Sequence, residues 1–357
     1  MTARLTSTVL ALLIALAVSA LLIALSGANP LLALRALVDG AFGSIDGWSE
    51  VGVRTCPLLL AGLAITVAFR AGVWNIGAEG QLLIGAAAVA WLGTHVGGLP
   101  GWFAIPLVLA AAALGGAIWA GLAALLKTQR AVDEVISTIM LNFIALGLIG
   151  YLVHGPLMEA AGAYPQSDAI AAAARLPRLA AGYRLHAGLL LALAAAAGVY
   201  VLLFRTVFGY AMRATGLNPV AARLAGFSVS GALFGALTIS GGLAGVAGGV
   251  EVSAITFRLY EQFSPGYGFT AIAVALLGRL HPVGVILAAI FFGALDAGSL
   301  AMQRSAGVSS VLVSVVQALV IFSLIILEHS SRRAAGAVEA LTAGDSATPH
   351  STVPPHR

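Results

Sequence analysis

The sequence predicts an all-α polytopic membrane protein of about ten transmembrane helices, some of them broken or re-entrant. Three observations lead there. Of 357 residues, 60% are hydrophobic and 9% charged, and the mean hydropathy is +1.01, more apolar surface than a soluble fold holds. The apolar runs are roughly 20 residues long, the length that crosses a bilayer as a helix. They lack the short alternating pattern of barrel strands.

Taken in order, Arg4 precedes a first span over about Thr8 to Leu25. No polar mature domain follows it, so it reads as a retained helix and not a cleaved signal. Asn29 to Glu50 mixes Leu31, Leu32, Leu34, Leu37 and Val38 with Arg35, Asp39, Asp46 and Glu50, the pattern of a short interfacial helix. Pro57 to Phe69 continues a second span, closed by Arg70, and a third runs through Leu82–Leu92. After a turn between His95 and Gly101, a fourth runs from Trp102 to Leu126 and ends at Lys127 and Arg130. Asp133 and Glu134 open the fifth, Val135 to Val153, where acidic residues complement the helix dipole.

Gly155 to His186 is irregular and proline-rich, an extramembrane loop with a short helix through Ala169–Ala174. Ala187 to Phe204 is the sixth span. Arg205 to Ser228 is too polar to span, yet helix-compatible on both sides of Gly216-Leu217-Asn218-Pro219. Two short helices joined by a turn, lying on one membrane face, fit it. Leu233 to Val250 is the seventh span, with Gly241, Gly242, Gly245, Gly248 and Gly249 favouring close helix packing. Glu251 to Pro265 reads as a loop or partly re-entrant segment, followed by short Tyr267–Leu277, then Val283–Leu300 and Val308–Leu327. Residues 1–328 thus form one transmembrane domain, and residues 329–357 a polar, disordered tail. Ten spans place both termini on one side. Eleven of the 18 lysines and arginines fall on that side, which favours cytoplasmic termini.

The most informative stretch is Val73-Trp74-Asn75-Ile76-Gly77-Ala78-Glu79-Gly80-Gln81-Leu82-Leu83-Ile84-Gly85. A charge at mid-helix in hydrocarbon costs roughly 2.5–3.5 kcal/mol, so polar groups held there have a use. The glycines permit a broken helix. Asn75, Glu79 and Gln81 then either line a path for a polar solute or satisfy the backbone of the break; a turn with Glu79 in water is the simpler alternative. Asn142, mid-span, reads first as a partner for a neighbouring helix. Tyr267 and Phe269 read as interface anchors, with stacking on a ligand as the alternative.

Catalytic chemistry is absent from the pattern. Lys127, the one lysine, follows Leu126 and not a glycine, so no phosphate-binding loop exists. No histidine pair has zincin spacing, and no serine sits in a Gly-x-Ser-x-Gly elbow. The single cysteine, Cys56, excludes an internal disulfide or a cysteine metal site and reads as packing. We expect no catalytic residue, metal or cofactor. Scattered arginines argue against nucleic acid and for membrane lipid. The Arg-for-Lys bias with Ala/Gly richness points to a GC-rich bacterial genome. Transport remains. An ion-coupled carrier would use Glu79, Glu251, Glu261 or Asp296, none of which forms a pair within a span. A subunit driven by a separate ATPase would instead dock through Arg205–Ser228.

Four blocks carry a family resemblance: Val73 to Gln81, Asp133-Glu134-Val135-Ile136-Ser137-Thr138-Ile139-Met140-Leu141-Asn142, Gly216-Leu217-Asn218-Pro219-Val220-Ala221-Ala222-Arg223-Leu224-Ala225-Gly226, and Gly266 to Gly278. In this order they resemble permease subunits of ABC importers of the branched-chain amino acid, ribose and nucleoside group. The resemblance implies a type II ABC importer permease in a bacterial cytoplasmic (inner) membrane. It also implies a second, related permease, a separate ABC ATPase, and an extracytoplasmic binding protein, often a lipoprotein. Asn75-Ile76-Gly77-Ala78-Glu79-Gly80-Gln81 looks most like nucleoside-type permeases, since sugar permeases generally carry an Asp-Leu-Ser type sequence there. Simple sugars and branched-chain amino acids are the alternatives. On this resemblance Arg213, Gly216, Asn218, Pro219, Ala222, Arg223 and Gly226 dock the ATPase, and Asn75, Glu79, Gln81 and Asn142 lie on the substrate path.

Overall fold

A computed structural model describes residues 13–14, 17–308, 311, 314–315 and 318–319. The chain divides into two compact units, Met1–Pro30 with Val311–Arg357, and Leu31–Ser310. In the first, Ala17–Leu25 is helical. The start of the expected first span and most of the tenth lie outside the described residues, as does the whole polar tail. All that follows concerns the second unit.

It is helical, with no strand among the described residues. Helix α1 covers Pro30–Phe42, and α2 runs from Ile45 to Arg70. The interfacial helix expected from Asn29 to Glu50 is therefore shorter, and the second span longer, than the sequence indicated. The reason is the cap at Ser44. Its Oγ accepts a hydrogen bond from the Gly47 amide at 3.1 Å, and Asp46 lies in the first turn, so the helix starts there. Glu50 and Arg54 face one another at 2.9 Å, and Arg54 also bonds Asp296 at 2.8 Å. Pro57 is accommodated inside the helix. Residues 55–68 are all buried. A helix apolar on every side belongs at the centre of a bundle, and α2 is enclosed by later elements of the chain.

These follow in order: α3 (Ala78–His95), α4 (Gly101–Arg130), α5 (Glu134–His154), α6 (Gly188–Arg205), the short α7 (Val207–Leu217) and α8 (Pro219–Leu224), α9 (Val229–Glu251), α10 (Tyr267–Leu277) and α11 (Pro282–Ala306). Helices α6, α9, α10 and α11 pack on α2, while α9 also packs on α3 and α4. The glycines of α9 explain the second contact. A methyl group at Gly245 would meet the Ala112 carbonyl and lie 3.0 Å from the Gly116 Cα, and one at Gly248 would strike the Leu82 carbonyl. Backbone meets backbone, as small residues permit between helices in a membrane.

Six helices among the described residues are long and apolar enough to cross a membrane: α2, α4, α5, α6, α9 with its continuation to Thr256, and α11. A broken pair near the N-terminus would make a seventh. The stretches expected as the third and eighth spans are helical, as α3 and the shorter α10, but are not among these six, so ten spans are not established. Beyond α9 the chain makes a π-turn, Val252–Thr256, and then runs irregularly to α10.

The loop between α5 and α6 is irregular apart from one 3-10 turn, Ala172–Ala174. It is stitched to the segment after α9. Ser167 N–H donates to Leu259 O at 2.8 Å, Ile170 N–H to Phe257 O at 2.9 Å, and Leu176 N–H to Ser253 O at 2.9 Å. Arg258 holds the buried Glu159 at 2.7 Å. At the end of the loop His186 is buried, and its Nδ1 accepts from the Gly188 amide at 3.1 Å, which fixes the neutral Nε2–H tautomer. Burial, helped by the Arg184 charge, lowers its pKa from 6.5 to about 4.

Two outcomes follow. Gly245→Val forces overpacking at the α9–α4 contact and is expected to destabilise by roughly 1–3 kcal/mol. Gly198→Ala, where a methyl meets open space, is expected to be neutral or stabilising; thermal unfolding in detergent compares them. For His186, the unfolded chain binds a proton near pH 6.5 and the folded chain near pH 4, so stability falls as pH drops through that window. His186→Asn is expected to flatten that part of the stability–pH curve relative to wild type.

Candidate functional site

The site is the break between α2 and α3. After Arg70 the helix ends with Ala71 N–H bonded to the Ala68 carbonyl at 3.0 Å and Val73 N–H to the same oxygen at 3.1 Å. Gly72 adopts φ +81, a conformation that favours glycine, and the chain runs without helical bonding until Ala78. Inside an apolar bundle each backbone group freed by such a break needs a partner.

Side chains supply them. Asn75 Oδ1 accepts from the Gly77 amide at 3.0 Å and from Gln81 Nε2 at 2.9 Å. Its Nδ2 donates to Gln81 Oε1 and to Ser240 Oγ, both at 2.8 Å. All four bonding positions of the Asn75 amide are filled. Ser240 Oγ in turn donates to the Ala64 carbonyl of α2 at 2.6 Å. From α5, Asn142 Nδ2 donates to the Ile76 carbonyl at 2.9 Å while its Oδ1 accepts from the Gly80 amide at 2.8 Å. Gly80 lets that helix approach, since a methyl there would sit 2.9 Å from Asn142 Oδ1.

Glu79 is buried, so it is not in water as a simple turn would have it. Its Oε2 accepts from the Gly268 amide at 2.7 Å, and the Ser264 hydroxyl also bonds it. A carboxylate on the first-turn amides of α10 suits the helix dipole. The structure thus brings all four path candidates, Asn75, Glu79, Gln81 and Asn142, into one buried network tying α3 to α2, α5, α9 and α10.

Two members escaped the sequence reading. Ser240 lies in a stripe of small residues that signals only packing. Glu134, taken as a dipole-complementing residue, accepts from Trp74 N–H at 3.4 Å and pairs with Lys127 at 2.6 Å, while Asp133 is the cap, its Oδ1 accepting from the Val135 amide at 2.9 Å.

The docking candidates form a second, adjoining element. Thr206 caps α7 by accepting from the Gly209 amide at 3.0 Å. Asn218 caps α8 by accepting from the Val220 and Ala221 amides at 3.0 Å, with Pro219 in the first position, which stiffens the turn. Gly226 closes the element at φ +85. Ala222 is buried beneath α8 and Arg223 is exposed. Leu217, Val220 and Leu224 protrude at 88%, 64% and 86% exposure, an apolar tip. Arg213 lies on the inner side, over the rings of Phe204 at 5.1 Å and Tyr210 at 5.8 Å. Gly216 packs against the end of α2.

Residues 47–326 match the family described as branched-chain amino acid transport system, permease component. Among curated relatives, a glucose ABC transporter permease of Haloferax volcanii is 40% identical, covering 92% of this chain and 89% of its own. A guanosine ABC transporter permease of Bacillus subtilis is 37% identical over 87% of this chain and 90% of its own. A nucleoside ABC transporter permease of Lactococcus lactis is 32% identical over 83% and 84%. No solved structure matches the chain. The chain belongs to this permease family and is a multi-pass membrane protein.

Asn142→Leu leaves the Ile76 carbonyl and the Gly80 amide buried and unpaired, an expected loss of roughly 2–6 kcal/mol. Ser240→Ala, which leaves Asn75 bonded to Gln81, is expected to be milder. Equal unfolding temperatures for the two variants would remove Asn142 from its central place.

Proposed function

We propose that this permease, paired with a second and related permease, forms the translocation path of an ATP-driven importer in a bacterial cytoplasmic membrane. Both termini face the cytoplasm. A separate ABC ATPase supplies the energy, and an extracytoplasmic binding protein, tethered as a lipoprotein, delivers a small polar solute. The chain changes no covalent bond and needs no cofactor or metal of its own. The exposed apolar faces of α4, α5 and α6 meet lipid or the second permease.

The observation that carries this reading is the α7–α8 element. It is capped at both starts and presents Leu217, Val220 and Leu224 outward, with Arg223 exposed on α8 and Arg205 exposed at the end of α6, and no carboxylate lies between Arg205 and Ser228. An apolar tip with a basic surround fits a groove in a soluble partner that is apolar with an acidic rim. The same element packs on the break through Gly216. ATP binding to the partner then moves α7–α8, and the helices reorient around the path. Asn75, Glu79, Gln81 and Asn142 stand beside that path as its frame, shaping it by holding the break.

Nucleosides are the favoured solute. Support comes from the Asn75–Gln81 block and from the guanosine and nucleoside permeases among the relatives. The glucose permease relative supports sugars as a second reading, and the family description keeps branched-chain amino acids as a third.

Uptake of labelled guanosine, uridine, glucose and leucine into cells with and without the gene tests the proposal. Selective loss of nucleoside uptake is expected on deletion, restored by the wild type and not by a Leu217→Asp, Leu224→Asp double variant. Loss of glucose uptake alone would move the chain to the sugar reading. Uptake that persists with the ATPase inactivated would make it an ion-coupled carrier.

A further inference from the structure

We propose that Gly72 and Gly216 form a rigid joint that carries the movement of α7 into the broken helix. This rests on the reading of α7–α8 as the ATPase contact and adds where the motion enters the bundle. A methyl at Gly216 would strike the Arg70 carbonyl and lie 2.9 Å from Ala71 C and Gly72 N. Reciprocally, one at Gly72 would lie 3.0 Å from the Gly216 Cα. Two backbones touch with no side chain between them. Such a contact is stiff, because hard-sphere repulsion rises steeply where a longer side chain would change rotamer.

The position of the contact gives it leverage. Gly72, at φ +81, is where α2 ends and the unbonded stretch begins. One step further on, Asn75 is locked by Gln81 and Ser240, Gly80 by Asn142, and Glu79 by Gly268. A push at Gly72 therefore reaches α5, α9 and α10 through short, fully made hydrogen bonds. On the other side α7 is held straight by its caps at Thr206 and Asn218, and Gly216 sits next to the turn that follows it.

The remaining contact between the two elements is softer. Arg70 and Arg213 both lie over the Phe204 ring, at 5.6 and 5.1 Å. Arg70 also donates to the Leu280 carbonyl at 2.8 Å, whereas the buried Arg213 Nε has no hydrogen-bond partner. Two like charges on one ring slide more readily than they push. α7 also touches α9, where a methyl at Gly235 would strike the Phe208 ring. That gives a control in which the added methyl meets a movable ring of α7 and bypasses the break.

The test uses the full complex of both permeases and ATPase in proteoliposomes, reading solute uptake and ATP hydrolysis together. Gly216→Ala and Gly72→Asn, the latter tolerant of positive φ, are expected to raise the ATP hydrolysed per solute moved by about tenfold or more. Gly235→Ala is expected to leave that ratio unchanged. Unchanged ratios in Gly216→Ala and Gly72→Asn, or a rise in Gly235→Ala alone, would overturn the joint. Should the glycine variants fail to assemble, spin labels at Trp74→Cys and Tyr210→Cys decide the matter, Cys56 being buried. A rigid joint keeps their separation constant with and without ATP, and a changed separation refutes it. A wild-type complex whose uptake ignores ATP would instead sink the docking reading itself.

Discussion

Between Arg70 and Ala78 the main chain gives up helical hydrogen bonding inside an apolar bundle. The rest of the structure depends on how that loss is made good. A buried N–H or C=O left alone costs roughly 1–3 kcal/mol, and more where hydrocarbon replaces water. Here the partners are amides: Asn75 from the break takes the Gly77 N–H and is held by Gln81 of α3, and Asn142 from α5 takes the Gly80 N–H and the Ile76 carbonyl. Because an amide both donates and accepts, Asn142 closes two openings at once. A carboxylate would serve only the N–H groups, and Glu79 is used for that purpose on the first turn of α10.

These bonds also decide which helices form the interior. They fix α3 to α2, α5, α9 and α10, and the glycines of α9 bring backbones close enough for Ser240 to reach Asn75. Helices α4, α5 and α6 each bury only about a quarter (28%) of their most apolar stretch, as suits surfaces turned to lipid or another permease. Adjoining this core, α7–α8 is a separately capped element whose backbone closely approaches the break at Gly216. A rigid interior with one stiff lever against it is an arrangement suited to being driven from outside the chain.

Much of this was legible in the sequence, for physical reasons that differ by residue. Asn75, Glu79 and Gln81 advertised the break because polar groups amid apolar runs are costly without a purpose. The turn at Asn218-Pro219 was legible because an Asn cap before proline is local chemistry. The start of α2 was not, because the charged residues up to Glu50 suited an interfacial helix, whereas the cap at Ser44 starts α2 at Ile45 and Arg54 finds Asp296 only through the fold. Partners such as Ser240 for Asn75 and Gly268 for Glu79 are far apart in sequence and become neighbours only through the fold.

The most direct measurement is an experimental structure of the assembled transporter in ATP-free and ATP-bound states. The expected result has α7–α8 seated on the ATPase, with the bonds from Asn142 to Ile76 and Gly80 and from Asn75 to Gln81 intact in both states. Between the states α3 would shift together with α7. Broken amide bonds in one state, or an α7–α8 element turned toward lipid, would contradict the view of the break as a rigid frame moved from the cytoplasmic side.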